Sequence, residues 1–484
     1  MRVQTRVPSG WLGLALGLVT VFAPQASAQC PPGAGCTEYL GKGSKGSYFR
    51  ILVPDPWDGD LVIVNHGLEL DPLTIAPHNT CKSDPDTPCS SDTDCAAVPP
   101  RSCNKITLLG LDGFLLPSGK AVAASTFSQT SWSAFQSRYD LKDIIKFMRK
   151  KGPGRPKRIV VTGISGGGAV TVDATMHLKP GKLIHGAIPL CSCSGGGLPS
   201  MDGATDVRLV YDWVCDGVPG GTFSSLPDVG DPTMSQIDFA VTANTCLGLL
   251  APSADPVEAA AQRARRETLF ALTKFPGTAT DFVTVIGFAI LAMGDFVDDP
   301  ERLNGRRLGW NEGLDYTSVL DSSAAQAFND AVPRFGPGKG RRKMSRSTYV
   351  DFTRGVAKRV DYPLLSFSGR EDFICLPEFQ KMYADAAALG EKKHAMIWGS
   401  TGGHCSFTPQ ELRSVFEAYF AWLDTFDTAV PSEPTTADVL ARCLSLPGAT
   451  SSQCNFDTAF TAPPLAHRFP ARADWPEAAR NPLP

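Results

Sequence analysis

The sequence predicts an α/β protein: a mostly parallel central sheet flanked by helices, with a long helical insertion. Three observations predict it. Short β-branched runs alternate with helical stretches between residues 48 and 190, and the rhythm returns after residue 363. Such alternation implies crossovers that cover both faces of a parallel sheet. Between those blocks, from about Cys193 to Arg346, glycine and proline punctuate helical stretches and no strand alternation is visible. The third observation is "RIVVTGISGGGAVTVDATMHL", where a strand-like run passes through a glycine-rich turn into a helix and leaves one serine, Ser165, among residues without side chains.

The chain has 484 residues, 43% hydrophobic and 20% charged, with a formal net charge of −3. This is the composition of a soluble globular protein, and the acidic balance excludes a nucleic-acid-binding polycation. Residues 1–28 read as a signal peptide: Arg2 and Arg6 form the positive region, Trp11 to Phe22 the apolar region, and Ala26-Ser27-Ala28 the cleavage site. The apolar run falls short of the roughly 20 residues a membrane span needs. Gln29, before Cys30, does not suit lipoprotein processing. All fourteen cysteines follow the cleavage site, and an even number in an exported chain implies disulfides and a secreted or periplasmic location.

Tyr48 to Val53 and Leu61 to Asn65 are two short β runs around a Pro/Asp/Gly turn, the pattern of a hairpin. An insertion over 79–104 carries Cys81, Cys89, Cys95 and Cys103. Its C-x₇-C-x₅-C-x₇-C spacing lacks the close pairs of zinc sites and reads as a disulfide-stapled loop. A buried strand is expected at Ala121 to Ala124, and a helix over "YDLKDIIKFMRKKG", capped by Asp140 and closed by Gly152. Strand Ile159 to Thr162, helix Ala169 to Leu178 and strand Leu183 to Leu190 complete the first part of the core, 29–192.

Residues 193–346 form the insertion. Its apolar run Phe282 to Met293 reads as a buried helix or a lid helix over a substrate pocket, and 338–346 as a solvated basic loop. The second part of the core, 347–428, holds strand Leu364 to Ser368, a loop with Glu371 and Asp372, a last strand, a glycine loop with His404, and a final helix. Thr408-Pro409-Gln410-Glu411 is a capping box that starts that helix. The tail, 429–484, reads as irregular and wrapped over the surface.

The pattern G-x-S-x-G at Gly163 to Gly167 is that of a strained strand-to-helix turn that exposes a serine. A serine hydroxyl is a weak nucleophile and needs a base. Of seven histidines, His404 has the best setting, while His394, within a strand, reads as structural. An acid must orient the imidazole, and Asp372 lies just past a strand end, with Glu371 as the alternative. An oxyanion hole needs two N–H groups. Gly166 follows the serine, and Leu68 lies in the early "NHGLEL" loop, where His66 reads as a satisfied strand-end histidine.

The chain order Ser165, Asp372, His404 is that of the α/β-hydrolase triad. In "VPDPWDGDLVIVNHG", "VVTGISGGG", "NEGLDYTSVL", "GREDFICLP" and "GGHCSFTPQEL" the chain resembles secreted bacterial α/β-hydrolases of the serine esterase type. The pair His404-Cys405 is similar to the "HC" of tannase and feruloyl esterase relatives, in which a cysteine just before the nucleophile pairs with it. Here that place holds Ile164. Position suggests instead a bridge from Cys375 to Cys405, tying the acid loop to the histidine loop, with Cys246 as another partner for Cys375 or a free thiol as the remaining option. The resemblance implies cleavage of an ester substrate, small or polymeric, with no cofactor, no metal and no nucleic-acid partner. A peptidase of the same fold and a non-catalytic binding protein are the rival readings.

Overall fold

The computed structural model describes residues 30, 35–95, 102–178, 183–275, 277–299, 303–320, 323–339, 362–389, 393–426, 433–465, 468–472 and 475. The signal segment, His467 and nearly all of the basic stretch 338–346 lie outside them. Eleven strands are described: β1 (Cys36–Lys42), β2 (Tyr48–Pro54), β3 (Asp60–Asn65), β4 (Thr80–Cys81), β5 (Asp84–Pro88), β6 (Cys103–Asn104), β7 (Ala121–Ser125), β8 (Arg158–Ile164), β9 (Gly186–Leu190), β10 (Leu364–Glu371) and β11 (His394–Gly402). Eight of these form one sheet in the order β1-β2-β7-β3-β8-β9-β10-β11. From β7 to β11 every pairing is parallel, and only β1 and β2 at one edge run antiparallel to their neighbours. This is the α/β-hydrolase fold.

The order corrects one expectation. β2 and β3 are not a hairpin, because β7 lies between them, antiparallel to β2 and parallel to β3. The hairpin is β1–β2. Its first strand, "CTEYLGK", sits on the sheet edge with mostly polar, exposed residues and so offers little apolar signal.

Helices α1 (Asp112–Leu115), α2 (Ala134–Lys151) and α3 (Gly166–His177) belong to the first block. α2 begins six residues before Asp140. Asp140 is not a cap: it is buried within the helix and accepts from the N–H and hydroxyl of Ser128 at 3.0 and 3.1 Å. Burial, its largest cause, raises the Asp140 pKa to about 6. Both sheet faces carry close-packed apolar side chains, one set including Ile63, Ile144 and Val172, the other Val62, Phe367 and Phe416.

Residues 197–331 are helical where regular: α4 (Gly197–Val214), α5 (Gln236–Leu247), α6 (Pro256–Thr273), α7 (Ala279–Gly287), a π-helical turn Phe288–Ala292, α8 (Met293–Asp298) and α9 (Ala325–Ala331). The chain then returns to the sheet with α10 (Pro377–Leu389) and α11 (Pro409–Thr425), the latter started by the expected Thr408/Glu411 capping box. The tail is not simply irregular. It contains α12 (Thr436–Ser445), itself started by a capping box. It also sends Arg472, fully buried, between Asp202 and Asp206 of α4, with Trp475 donating to Asp202 at 2.6 Å. Among the described residues no helix is long and apolar enough to cross a membrane.

All fourteen cysteines are paired: Cys30–Cys36, Cys81–Cys95, Cys89–Cys103, Cys191–Cys405, Cys193–Cys375, Cys215–Cys246 and Cys443–Cys454. The Cys375–Cys405 bridge is therefore not formed. The acid and histidine loops are each tied to the segment after β9 rather than to each other, because Cys191 and Cys193 of that segment supply a partner for each loop.

Candidate active site

Ser165 stands between β8 and α3 with φ 54° and ψ −122°. A non-glycine residue in this region is strained by on the order of 1–3 kcal/mol, and such strain persists only where the surroundings enforce it. The enforcement is steric. A Cβ on Gly163 would lie 2.4 Å from the Gly167 carbonyl oxygen, and one on Gly167 would lie 2.2 Å from the carbonyl oxygens of Asn65 and His66. Only glycine lets the elbow pack this closely onto the end of β3.

The hydroxyl of Ser165 lies 2.8 Å from His404 Nε2, and His404 Nδ1 lies 2.9 Å from each carboxylate oxygen of Asp372. The tautomer that satisfies all these contacts carries its proton on Nδ1, donates to Asp372, and accepts from Ser165. Asp372 is fully buried, and its Oδ1 also accepts from the N–H groups of Ile374 and Cys375, each at 2.9 Å. Three donors thus compensate a charge that would be costly alone. Glu371, the alternative acid, is half-exposed at the end of β10 and pairs with Arg370 at 3.3 Å.

Leu68 comes from the loop after β3, and its backbone nitrogen would lie 3.2 Å from a Cβ on Gly166, so the two residues expected to donate to an oxyanion are adjacent. Gly166 is the first residue of α3, where N–H groups have no intrahelical acceptor and the helix dipole favours negative charge. His66 stacks on Phe127 at 4.1 Å and donates from Nδ1 to the Gly67 carbonyl at 2.8 Å, and burial depresses its pKa. It props the loop that carries Leu68. His394 is likewise structural: burial lowers its pKa to about 4 and its Nε2 lies 2.9 Å from Ser366 Oγ.

The segment Cys191 to Ser194 follows β9, whose Leu190 carbonyl accepts from the Ser165 N–H, and its two cysteines bond the loops that carry His404 and Asp372; two cysteines directly after a core strand are the sequence signal for it. Cys405 follows His404, and its sulfur lies 3.4 Å from Nε2. Cys375 donates its N–H to Asp372 while its sulfur bonds Cys193. Both ends of Cys191–Cys405 have positive φ, 39° and 56°. Gln380 of α10 accepts from the Ser194 hydroxyl at 3.0 Å and donates to the Ser192 carbonyl.

Above Ser165 opens a cleft lined mainly by apolar side chains. Its walls include Leu68 and Leu70, Trp132, Phe239 of α5, and Val283 of α7 with Phe288 of the π turn. The run Phe282 to Met293, singled out in the sequence, thus presents one side to the cleft. None of the described residues lining it is charged. Trp132 and Leu70 lie in irregular loops and carried no periodic signal.

No protein-family model matches the chain, and no curated protein matches it. Among solved structures the chain is similar to an esterase from Aspergillus oryzae, at 12% identity over 81% of this chain and 80% of that one, with a TM-score of 0.42. It is also similar to a Pyrococcus furiosus esterase, at 12% identity over 80% of this chain and 90% of that one, TM-score 0.36. A third is the acylaminoacyl peptidase of Pyrococcus horikoshii, at 10% identity and TM-score 0.36, where 84% of this chain spans only 44% of that one. The fold itself rests on the sheet order and pairing directions of this chain.

Proposed function

We propose that the protein is a secreted serine hydrolase that cleaves carboxylic esters through an acyl-enzyme. The observation that carries the reading is the continuous chain Ser165 Oγ, His404 Nε2, His404 Nδ1 and Asp372, with contacts of 2.8 and 2.9 Å, on a strained elbow beneath an apolar cleft. In this reading Ser165 attacks the ester carbonyl carbon as its proton passes to His404. The oxyanion is met by the N–H groups of Gly166 and Leu68. Collapse of the tetrahedral intermediate expels the alcohol, which takes the proton from His404, and water repeats the sequence to release the acid. Asp372 holds the tautomer and stabilises the imidazolium without itself taking the proton.

The described cleft lining holds no carboxylate, which disfavours a peptidase that binds a free substrate amine, and its apolar walls fit an ester with apolar parts. The insertion 193–346 acts as a lid, and within it α7 and the π turn cover the cleft over Ser165. Seven disulfides support an oxidising, extracytoplasmic location. The test is labelling with a fluorophosphonate, with the modified peptide mapped, followed by a panel of short esters and matched amides. The expected result is covalent modification at Ser165 and turnover of the esters. Labelling elsewhere, or amide turnover faster than ester turnover, refutes the reading.

A further inference from the structure

Apolar space does not end at the cleft over Ser165. A second, partly open apolar pocket adjoins it, and the two share Cys193, Phe288 and Ile374 as walls. The far side of the second chamber is formed by Ala204 and Val207 of α4, with Phe275, Phe373, Phe379 and Phe469 around it. Among the described wall residues the one charged group, Arg468, is committed elsewhere: it donates to Glu378 Oε1 at 3.0 and 2.8 Å and to the Lys274 carbonyl.

Protein interiors are packed with few voids larger than a water molecule, and an apolar cavity gives water no partners. An apolar pocket lined by phenylalanines and adjoining a candidate nucleophile is therefore suited to an apolar guest. The shared wall is also where the backbone departs from regularity. Phe288 opens the π-helical turn, and such turns widen a helix locally and recur at functional sites. Phe288 and Ile374 are partly exposed to these spaces, whereas their neighbours Ala289 and Cys375 are fully buried.

Resting on the esterase reading above, we propose that the second chamber is a subsite for an extended apolar limb of the ester, and that Phe288 is the side chain the limb passes to reach it. The limb belongs to either the acyl or the alcohol part, and the two arms of the test separate them. One arm measures kcat/KM for 4-nitrophenyl esters from acetate to laurate; the other uses acetate esters of alcohols from ethanol to dodecanol. In one arm the long substrates are preferred. Ala204→Phe or Val207→Phe, which intrude on the second chamber, then lower the long-to-short ratio of kcat/KM by about tenfold or more, the scale on which small changes in an apolar pocket discriminate substrates. Phe288→Trp lowers the same ratio and Phe288→Ala raises it. A ratio unmoved in folded Ala204→Phe, Val207→Phe and Phe288→Trp overturns the subsite while short-ester turnover leaves the esterase reading intact. Should no ester be turned over, calorimetric binding of 1-decanol to Ser165→Ala and to Ser165→Ala/Ala204→Phe reads the chamber without chemistry. Binding lost only in the double variant supports it, and absent or equal binding overturns it.

Discussion

Two of the regions stapled by cysteines, the insertion after β3 and the loops around Ser165, put their staples to different work. In the insertion between β3 and β7, Cys81–Cys95 and Cys89–Cys103 each close 14 residues around strands as short as two residues. The buried hydrophobic cluster there consists of those four cysteines alone among the described residues. The bonds stand in for a core that so small a unit cannot build. Around Ser165 the bridges Cys191–Cys405 and Cys193–Cys375 span 214 and 182 residues and are embedded in an extensive core. There the sheet already holds the fold, and the bonds fix where two loops stand relative to a third. The same covalent link therefore supplies stability in one place and geometry in the other.

The comparison breaks first if the chemistry does not reside at the stapled loops. Ser165→Ala is expected to lower kcat by on the order of 10⁴–10⁶ with an unchanged circular dichroism spectrum. Residual turnover near that of the parent would remove the reason for treating these loops as a site. Asp372→Asn is expected to cost about 10⁴ in kcat, because the amide favours the wrong imidazole tautomer. Glu371→Gln, half-exposed and turned toward Arg370, should stay close to the parent, and the reverse ranking would reassign the acid.

A direct contrast comes from cutting one staple in each region. Cys191→Ala/Cys405→Ala is expected to lower kcat about a hundredfold, the cost of misplacing a base by about 1 Å, while hydrogen exchange in the insertion stays unchanged. Cys89→Ala/Cys103→Ala should do the opposite: kcat holds, and the insertion loses protection equivalent to about 2–4 kcal/mol. Equal kinetic losses in the two variants would erase the distinction.

The smallest effect is a pH dependence confined to the insertion. His78 is buried at its base, accepts from the Ile106 N–H at 2.9 Å, and burial, the largest cause, lowers its pKa to about 3. The unfolded histidine titrates near 6.5, so its contribution to stability is full above that pH. It is lost as pH falls toward 3, since the open state alone takes up the proton. Protection factors of the described residues in 76–106, that is exchange corrected for the pH dependence of intrinsic amide exchange, should fall below pH 6.5, by at most about tenfold per pH unit for one proton. His78→Gln should flatten that slope, and an unchanged slope would place the acid sensitivity elsewhere.

Much of the molecule was legible because the signals are local. The alternation of β-branched runs and amphipathic helices identifies every strand of the large sheet except the edge strand β1, and the glycines about Ser165 mark the elbow since no larger residue fits. Thr408, four residues after His404, and Glu411 announce α11. The residues picked from sequence as nucleophile, base and acid stand within 2.8–2.9 Å of their neighbours. Strand order and cysteine pairing were not legible in this way. Nothing local tells β2 that β7, and not β3, lies beside it, and a disulfide across 214 residues depends on which loops the assembled sheet brings together. Residue type and spacing determine which chemistry is available along the chain. The tertiary structure decides partnership, because contacts between distant segments depend on the packing of the whole sheet, to which no short stretch of sequence refers.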